Sequence, residues 1–236
     1  MIGIIGAMDV EVNGLVEKMI VNEEITVSSI KYFKGTIQNK DVVIAKCNPG
    51  KVNAAICAQT MILKFNPEVI INSGVAGGLS KELGICDVAI ATDVVEHDMD
   101  TTPLGEPIGF ISGIDKVHIP ANEKVYKLLE KSAKTLNDTV VKLGTIASGD
   151  IFLNDSDIKN KIVKNFNAIC GEMEGGSIGH VACANNIPFG VIRVISDNAD
   201  SESNMDFPEF CALAAKKSIE ICEKFIIQYV KNPCHI

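Results

Sequence analysis

Arginine is almost absent from this chain. Among its 22 lysine and arginine residues there is one arginine, Arg193, and tryptophan does not occur at all. A protein that cradles free phosphate usually gathers several guanidinium groups for bidentate contacts, and that construction is excluded here. A nucleic-acid surface is excluded too, because the formal charge is −8 and the lysines are scattered instead of forming a stripe. Paired cysteine motifs are also missing. Cys47, Cys57, Cys86, Cys170, Cys183, Cys211, Cys222 and Cys234 are spread along the chain without a CxxC. Several sit in apolar runs, where free cysteine behaves as a small hydrophobe. No basic export segment precedes the early charge at Asp9, and no apolar run approaches the roughly 18 residues of a membrane span. These absences point to a reducing, cytoplasmic setting and to no membrane partner.

What is present is enough for one large core: 236 residues, 47% of them hydrophobic. No linker, repeat or low-complexity block divides the chain, so residues 1–236 read as a single domain. Apolar runs predict strands over residues 2–5, 25–29, 32–38, 42–47, 68–72, 87–95, 140–147 and 189–196. A turn is expected at Asn39-Lys40, and a glycine-rich loop over 74–78. Helical periodicity marks 9–19, 51–63, 123–136, 157–165, 173–184 and 207–229, with residues 97–120 irregular. Buried strands alternating with helices indicate an α/β layered fold. In such folds ligands collect at the carboxyl ends of strands, and residues 6–11, 73–78, 148–153 and 196–200 all fall there.

Three carboxylates belong to those strand ends: Glu11, Glu174 and Asp197. Paired carboxylates serve glycosidic cleavage, one as acid to the leaving group and one as base to water. Glu11 and Glu174 also suit the first turn of a helix, where the macrodipole favours acids, and spacing alone does not separate the two readings. Arg193, a permanent planar cation, is suited to orienting a carboxylate or a water. The run from Gly74 to Gly78 lacks the Lys-Ser/Thr of a phosphate-binding P-loop and serves equally well as a tight turn. His97-Asp98-Met99-Asp100 reads as a solvated loop, not a metal site, and neither metal nor cofactor is expected. His180 is expected to be a hydrogen-bonded core histidine, and Cys170 and Cys183 packing residues.

Taken in order, several segments resemble one family. They are residues 3–11, Gly50-Lys51-Val52-Asn53-Ala54-Ala55, residues 70–78, Ser148-Gly149-Asp150-Ile151-Phe152-Leu153, Glu172-Met173-Glu174 and Arg193-Val194-Ile195-Ser196-Asp197. The chain is similar over essentially its whole length to the 5′-methylthioadenosine/S-adenosylhomocysteine nucleosidases. These are hydrolytic members of the purine nucleoside phosphorylase/hydrolase superfamily. The resemblance implies a three-layer α/β/α domain around a twisted mixed β-sheet, assembled as a homodimer. It implies hydrolysis of methylthioadenosine, adenosylhomocysteine and 5′-deoxyadenosine to adenine and the substituted sugar, within methionine salvage and recycling of S-adenosylmethionine by-products. By position, Glu11 would activate water and Asp197 would protonate adenine N7. Ser196 would orient Asp197, and Arg193 would help hold the water. Glu174 and the Met173 backbone would bind the ribose hydroxyls, Phe152 would stack on adenine, and the Leu153 backbone would read its edge. Met8, Pro49, Met173 and Phe207 would line the 5′-pocket, closed by Thr101 and Leu104 of the partner subunit. Val75, Gly77 and Glu172 complete the expected ligand-binding set.

The chain departs from the family pattern in places. Val75 stands where a serine usually helps position the water, and Cys47-Asn48-Pro49-Gly50-Lys51 replaces the usual glycine-rich approach to the second helix. Gly175-Gly176 follows Glu174 where two better helix formers are usual, at about 1 kcal/mol each. Two other functions compete with hydrolysis. A phosphorylase of the same fold would need the cationic pocket that a single arginine does not build. A catalytically weakened nucleoside binder would fit Val75, but would have little need of both Glu11 and Asp197.

Overall fold

The computed structural model describes residues 1–197 and 207–231, except for the side chains of residues 207, 208, 230 and 231. Among the described residues ten strands and six α-helices form a mixed sheet with helices on both faces, and Thr102–Leu104 makes a short 3-10 turn. The strands are β1 (Ile2–Gly6), β2 (Ile20–Val27), β3 (Ile30–Ile37), β4 (Lys40–Lys46), β5 (Val69–Gly78), β6 (Val88–Glu96), β7 (Ile119–Pro120), β8 (Val141–Ser148), β9 (Cys170–Glu172) and β10 (Phe189–Asp197). The helices are α1 (Asp9–Val16), α2 (Lys51–Phe65), α3 (Glu123–Ala133), α4 (Ser156–Phe166), α5 (Gly175–Ala184) and α6 (Phe207–Lys231).

Strand order is β10-β6-β8-β9-β5-β1-β4-β3-β2, and β10 also pairs with β5. Five strands therefore close on themselves, while β1 to β4 extend from β5 as an open sheet. Parallel pairing of β1 with β4 and β5, and of β5 with β10, aligns their carboxyl ends on one rim. Val12, Leu15, Val125, Leu129, Ile221 and Phe225 bury α1, α3 and α6 against one face. Ala54, Ala58, Met61, Ile178 and Ala182 bury α2 and α5 against the other. The expected three layers are present.

Local chemistry sets the ends of elements. The Asn122 side chain accepts from the Val125 N–H at the start of α3, and Asp155 accepts from Asp157 and Ile158 at the start of α4. Asn66 and Asn167 end α2 and α4 in the left-handed conformation. The β3–β4 turn falls one residue earlier than the sequence suggests, at Gln38-Asn39, both with positive φ, so that Ile37 pairs with Lys40. The glycine-rich 74–78 segment is not a loop. It is the second half of β5, paired with β10 and β9. Strand β9 was not visible in the hydrophobic pattern, and α5 begins at Gly175 because Cys170–Glu172 is spent on that strand.

Candidate active site

A cavity of about 280 Å³ opens at the rim where β1, β5, β8, β9 and β10 end. Twelve of the expected residues line it: Met8, Glu11, Pro49, Val75, Gly77 and Phe152 with Leu153, Glu172, Met173, Glu174, Ser196 and Asp197. Ala7, Ala76, Ile151 and Gly171 line it as well. These are small or apolar residues: Ala7, Ala76 and Ile151 stand within the segments that carry the resemblance and Gly171 next to one, without chemistry of their own to single them out. Arg193, Thr101 and Leu104 do not line it. The Phe207 side chain lies outside the described residues.

Glu11 reaches the cavity from the first turn of α1 and is only 4% exposed. Its Oε2 accepts from the Ala7 and Met8 N–H groups at 2.7 and 2.9 Å, and Oε1 accepts from Val75 N–H at 3.0 Å. One carboxylate thus both closes the helix start and lines the cavity. Burial raises its pKa above the usual carboxylate value, against the opposing pull of the Arg193 charge and the three N–H donors. A carboxylate so held is a competent proton acceptor.

Asp197 ends β10 directly across the strand pair from Gly77. The Ser196 hydroxyl donates to Asp197 Oδ2 at 3.1 Å, as expected, and also approaches the Ala76 carbonyl at 3.4 Å. Glu11 and Asp197 thus contact β5 at positions 75 and 77, one on each side of the cavity floor.

Arg193 is 1% exposed and sits behind the cavity, not in it. Its guanidinium donates to Glu172 Oε2 and Asn72 Oδ1, to the Ile192 carbonyl at 3.0 Å, and lies 3.5 Å from Glu174 Oε2. Its charge is thus held by two carboxylates, while its Nε has no hydrogen-bond partner among the described residues. Glu172 is committed in the same way: Arg193, the Ser148 hydroxyl and the Glu174 and Gly175 N–H groups all donate to it. It borders the cavity, but its carboxylate is engaged within the protein. A side chain on Gly175 would begin 3.1 Å from Glu172 Oε1, so a larger residue there requires a small shift of that carboxylate.

This arrangement separates two adjacent acids. Burial alone would raise Glu172, but Arg193, Ser148 and the two N–H groups hold it below the usual carboxylate range. Glu174 is pushed up to about 8 by burial and by the charge on Glu172, against Arg193 and the Gly50 N–H at 3.1 Å. Asn72 and Ser148, which organise the pair, were legible only as polar residues ending apolar runs.

Other expectations resolve locally. His180 is hydrogen-bonded, with Nδ1 3.3 Å from Glu96 Oε1, but its side chain is partly exposed instead of lying in the core. Asp98 is engaged by Lys51 and by the Asp150 N–H. Cys170 is buried among core residues, where burial pushes its thiol pKa up, and Cys183 packs at the edge of the same core.

Fold and site together define an α/β enzyme with a carboxylate pair at the strand ends. The family model of the phosphorylase superfamily matches residues 1–227. A 5′-methylthioadenosine/S-adenosylhomocysteine nucleosidase of Staphylococcus aureus is 39% identical over 232 residues, 97% of this chain and all of that protein. The Neisseria meningitidis nucleosidase of that name, solved in complex with methylthio-immucillin-A, superposes with a TM-score of 0.92 at 31% identity, covering 96% of this chain and 98% of that one. Futalosine hydrolase of Helicobacter pylori superposes with a TM-score of 0.90 at 36% identity, covering 96% and 97%. The chain belongs to the phosphorylase superfamily and, within it, to the 5′-methylthioadenosine/S-adenosylhomocysteine nucleosidase family.

Proposed function

We propose that this protein hydrolyses the N-glycosidic bond of 5′-methylthioadenosine and S-adenosylhomocysteine, and of 5′-deoxyadenosine, releasing adenine and the 5-substituted ribose. The observation that carries the reading is the pair Glu11 and Asp197 on one cavity, each held by neighbours that suit its role. Glu11 accepts a proton as water attacks the anomeric carbon. The bond from that carbon to N9 breaks, its electrons pass to the base, and Asp197 supplies a proton to N7. Adenine then leaves as a neutral molecule. Ser196 orients Asp197, while Glu174 and the Met173 backbone hold the ribose hydroxyls. Phe152 stacks on the purine, the Leu153 backbone reads its edge, and Met8, Pro49 and Phe207 line the 5′-pocket. Arg193 acts by fixing Glu172, and through it the Glu174 segment.

Among the described residues no lysine or arginine lines the cavity, which supports water and not phosphate as the nucleophile. Residues 1–236 act as one nucleoside hydrolase domain without metal or cofactor. The working unit is a homodimer: Val52, Ile56 and Leu63 leave an exposed apolar stripe on α2, and Leu104 is 82% exposed in the 97–112 loop. Thr101 and Leu104 of the partner subunit then help close each 5′-pocket. No helix among the described residues is long and apolar enough to cross a membrane. The seven described cysteines are unpaired, which fits a reducing cytoplasm and a place in methionine salvage.

Initial rates of adenine release from methylthioadenosine, adenosylhomocysteine, 5′-deoxyadenosine and an aminofutalosine-type nucleoside, with and without phosphate, test the reading. Phosphate-independent release from the first two is expected. Phosphate-dependent formation of a ribose 1-phosphate would replace it with phosphorolysis, and binding without release would leave a nucleoside sensor.

A further inference from the structure

Next to residues that line the cavity, a closed circuit of hydrogen bonds joins three chain segments. The Lys51 backbone N–H donates to Asp150 Oδ1 at 2.7 Å, and the Asp150 N–H donates to Asp98 Oδ2 at 2.8 Å. The Lys51 ammonium closes the circuit on Asp98 Oδ1 at 2.7 Å and also reaches Glu96 Oε2 at 3.1 Å. The Ser177 hydroxyl donates to the Lys51 carbonyl at 2.6 Å, anchoring the same point to α5.

None of Lys51, Asp98 and Asp150 lines the cavity, yet two of them adjoin residues that do. Pro49 lies just before Gly50 and Lys51, and Ile151, Phe152 and Leu153 follow Asp150 directly. Two of the three bonds use backbone N–H groups, so the circuit holds main chain and not merely rotamers. The Lys51 and Asp98 side chains are each 18% exposed, which shields their ion pair from much of the screening that weakens surface pairs.

We propose that Lys51, Asp98 and Asp150 are positioning residues that set the spacing between the Pro49 wall and the Ile151–Leu153 wall, and so determine how tightly the nucleoside, its purine included, is gripped. The inference rests on the nucleosidase reading above. Grip and chemistry are separable in this fold. Glu11 is held by Ala7, Met8 and Val75, and Asp197 by Ser196, none of which belongs to the circuit. Loosening the circuit therefore weakens ground-state and transition-state binding alike, which appears in KM and not in kcat.

Asp150→Ala removes the acceptor for Lys51 N–H and keeps the Lys51–Asp98 pair. Loss of one charge-assisted bond is expected to raise both the KM for methylthioadenosine and the dissociation constant of adenine about tenfold, with kcat within about threefold. Lys51→Met should behave similarly. Lys51→Arg should restore both constants to within about threefold, because its fork still spans Glu96 and Asp98. The proposal is overturned by an Asp150→Ala enzyme with unchanged KM and adenine affinity, by one that loses only kcat, or by one that fails to fold. Adenine affinity is read by calorimetry without turnover, so a wild type that released no adenine would defeat the functional reading and still leave the circuit's role decidable.

Discussion

A side chain on Gly74 would begin where Glu11 ends: a Cβ there would stand 2.5 Å from Glu11 Oε1. The next N–H along the strand, that of Val75, donates to the same oxygen. Gly74→Ala must therefore push the carboxylate off this donor or shift β5. Adenine release is expected to fall about 10²-fold, the usual consequence of a small misplacement beside reacting atoms. Glycine to alanine at an unstrained position is neutral or stabilising, so a fully active Gly74→Ala enzyme would show that Glu11 needs no such fit.

Asp197→Asn should lower kcat by about 10²–10⁴, the range supplied by a positioned proton donor, while leaving nucleoside binding measurable. An amide can still accept from the Ser196 hydroxyl but has no proton to give to N7. Near-normal turnover would assign the acid elsewhere.

Glu174 makes stability depend on pH. Its pKa is about 8 in the folded protein, against an ordinary value of 4.5, because of burial and the neighbouring Glu172 charge. Between these values the folded protein keeps a proton that the unfolded chain has released. The Glu174 contribution is therefore favourable at low pH, declines as pH rises through that window, and levels off above about 8. Glu174→Gln removes this titration and keeps the shape. Urea midpoints of variant and wild type should diverge in the variant's favour as pH rises from the ordinary carboxylate range to alkaline values. Parallel profiles would mean that Glu174 is ionised throughout.

Val75→Ser asks whether a departure from the family matters. The Val75 N–H supports Glu11, but its side chain offers two methyl groups to the cavity where a hydroxyl could hold the attacking water. A better-held water should raise kcat on methylthioadenosine about tenfold with little change in KM. A lower or equal rate would show that the site already positions its water by another route, with Asn48 or Asn72 the first groups to examine.

Ile56→Asp places a charge in the middle of the exposed apolar stripe on α2. On the homodimer proposed above, light scattering should show the wild type as a dimer and the variant as a monomer, and activity should fall with the loss of Thr101 and Leu104 from the neighbouring subunit. A fully active monomer would make the described chain self-sufficient.

Local pattern reaches the strand-end acids of the candidate site, whereas residues such as Met8, Pro49, Phe152, Leu153 and Met173 follow only from the family resemblance. Short apolar runs ending in glycine or in a polar residue mark strand ends, and Glu11, Ser196 and Asp197 stand at such ends. The alternation of those runs with helical periodicity was enough for the layered class. Strand β9 leaves no mark in the pattern because three residues carry no period, and the 74–78 segment reads as a loop because glycines suggest a turn whether or not neighbouring strands pair with them.

The division of labour between Glu172 and Glu174 could not be read in the same way. Both are acids in one short motif, and either could have taken the arginine. Which one does so depends on where β10 brings Arg193, where β5 brings Asn72 and where β8 brings Ser148, three strands remote in sequence that meet through the closed part of the sheet. Sequence by itself determined which residues stand at the strand ends, because hydrophobic period and turn chemistry act over a few neighbours. Tertiary structure alone decided that Glu172 is the acid Arg193 holds, that Glu174 is pushed toward its protonated form and that Arg193 lies behind the cavity. Those outcomes follow from burial and from distances between strands, which no local pattern encodes.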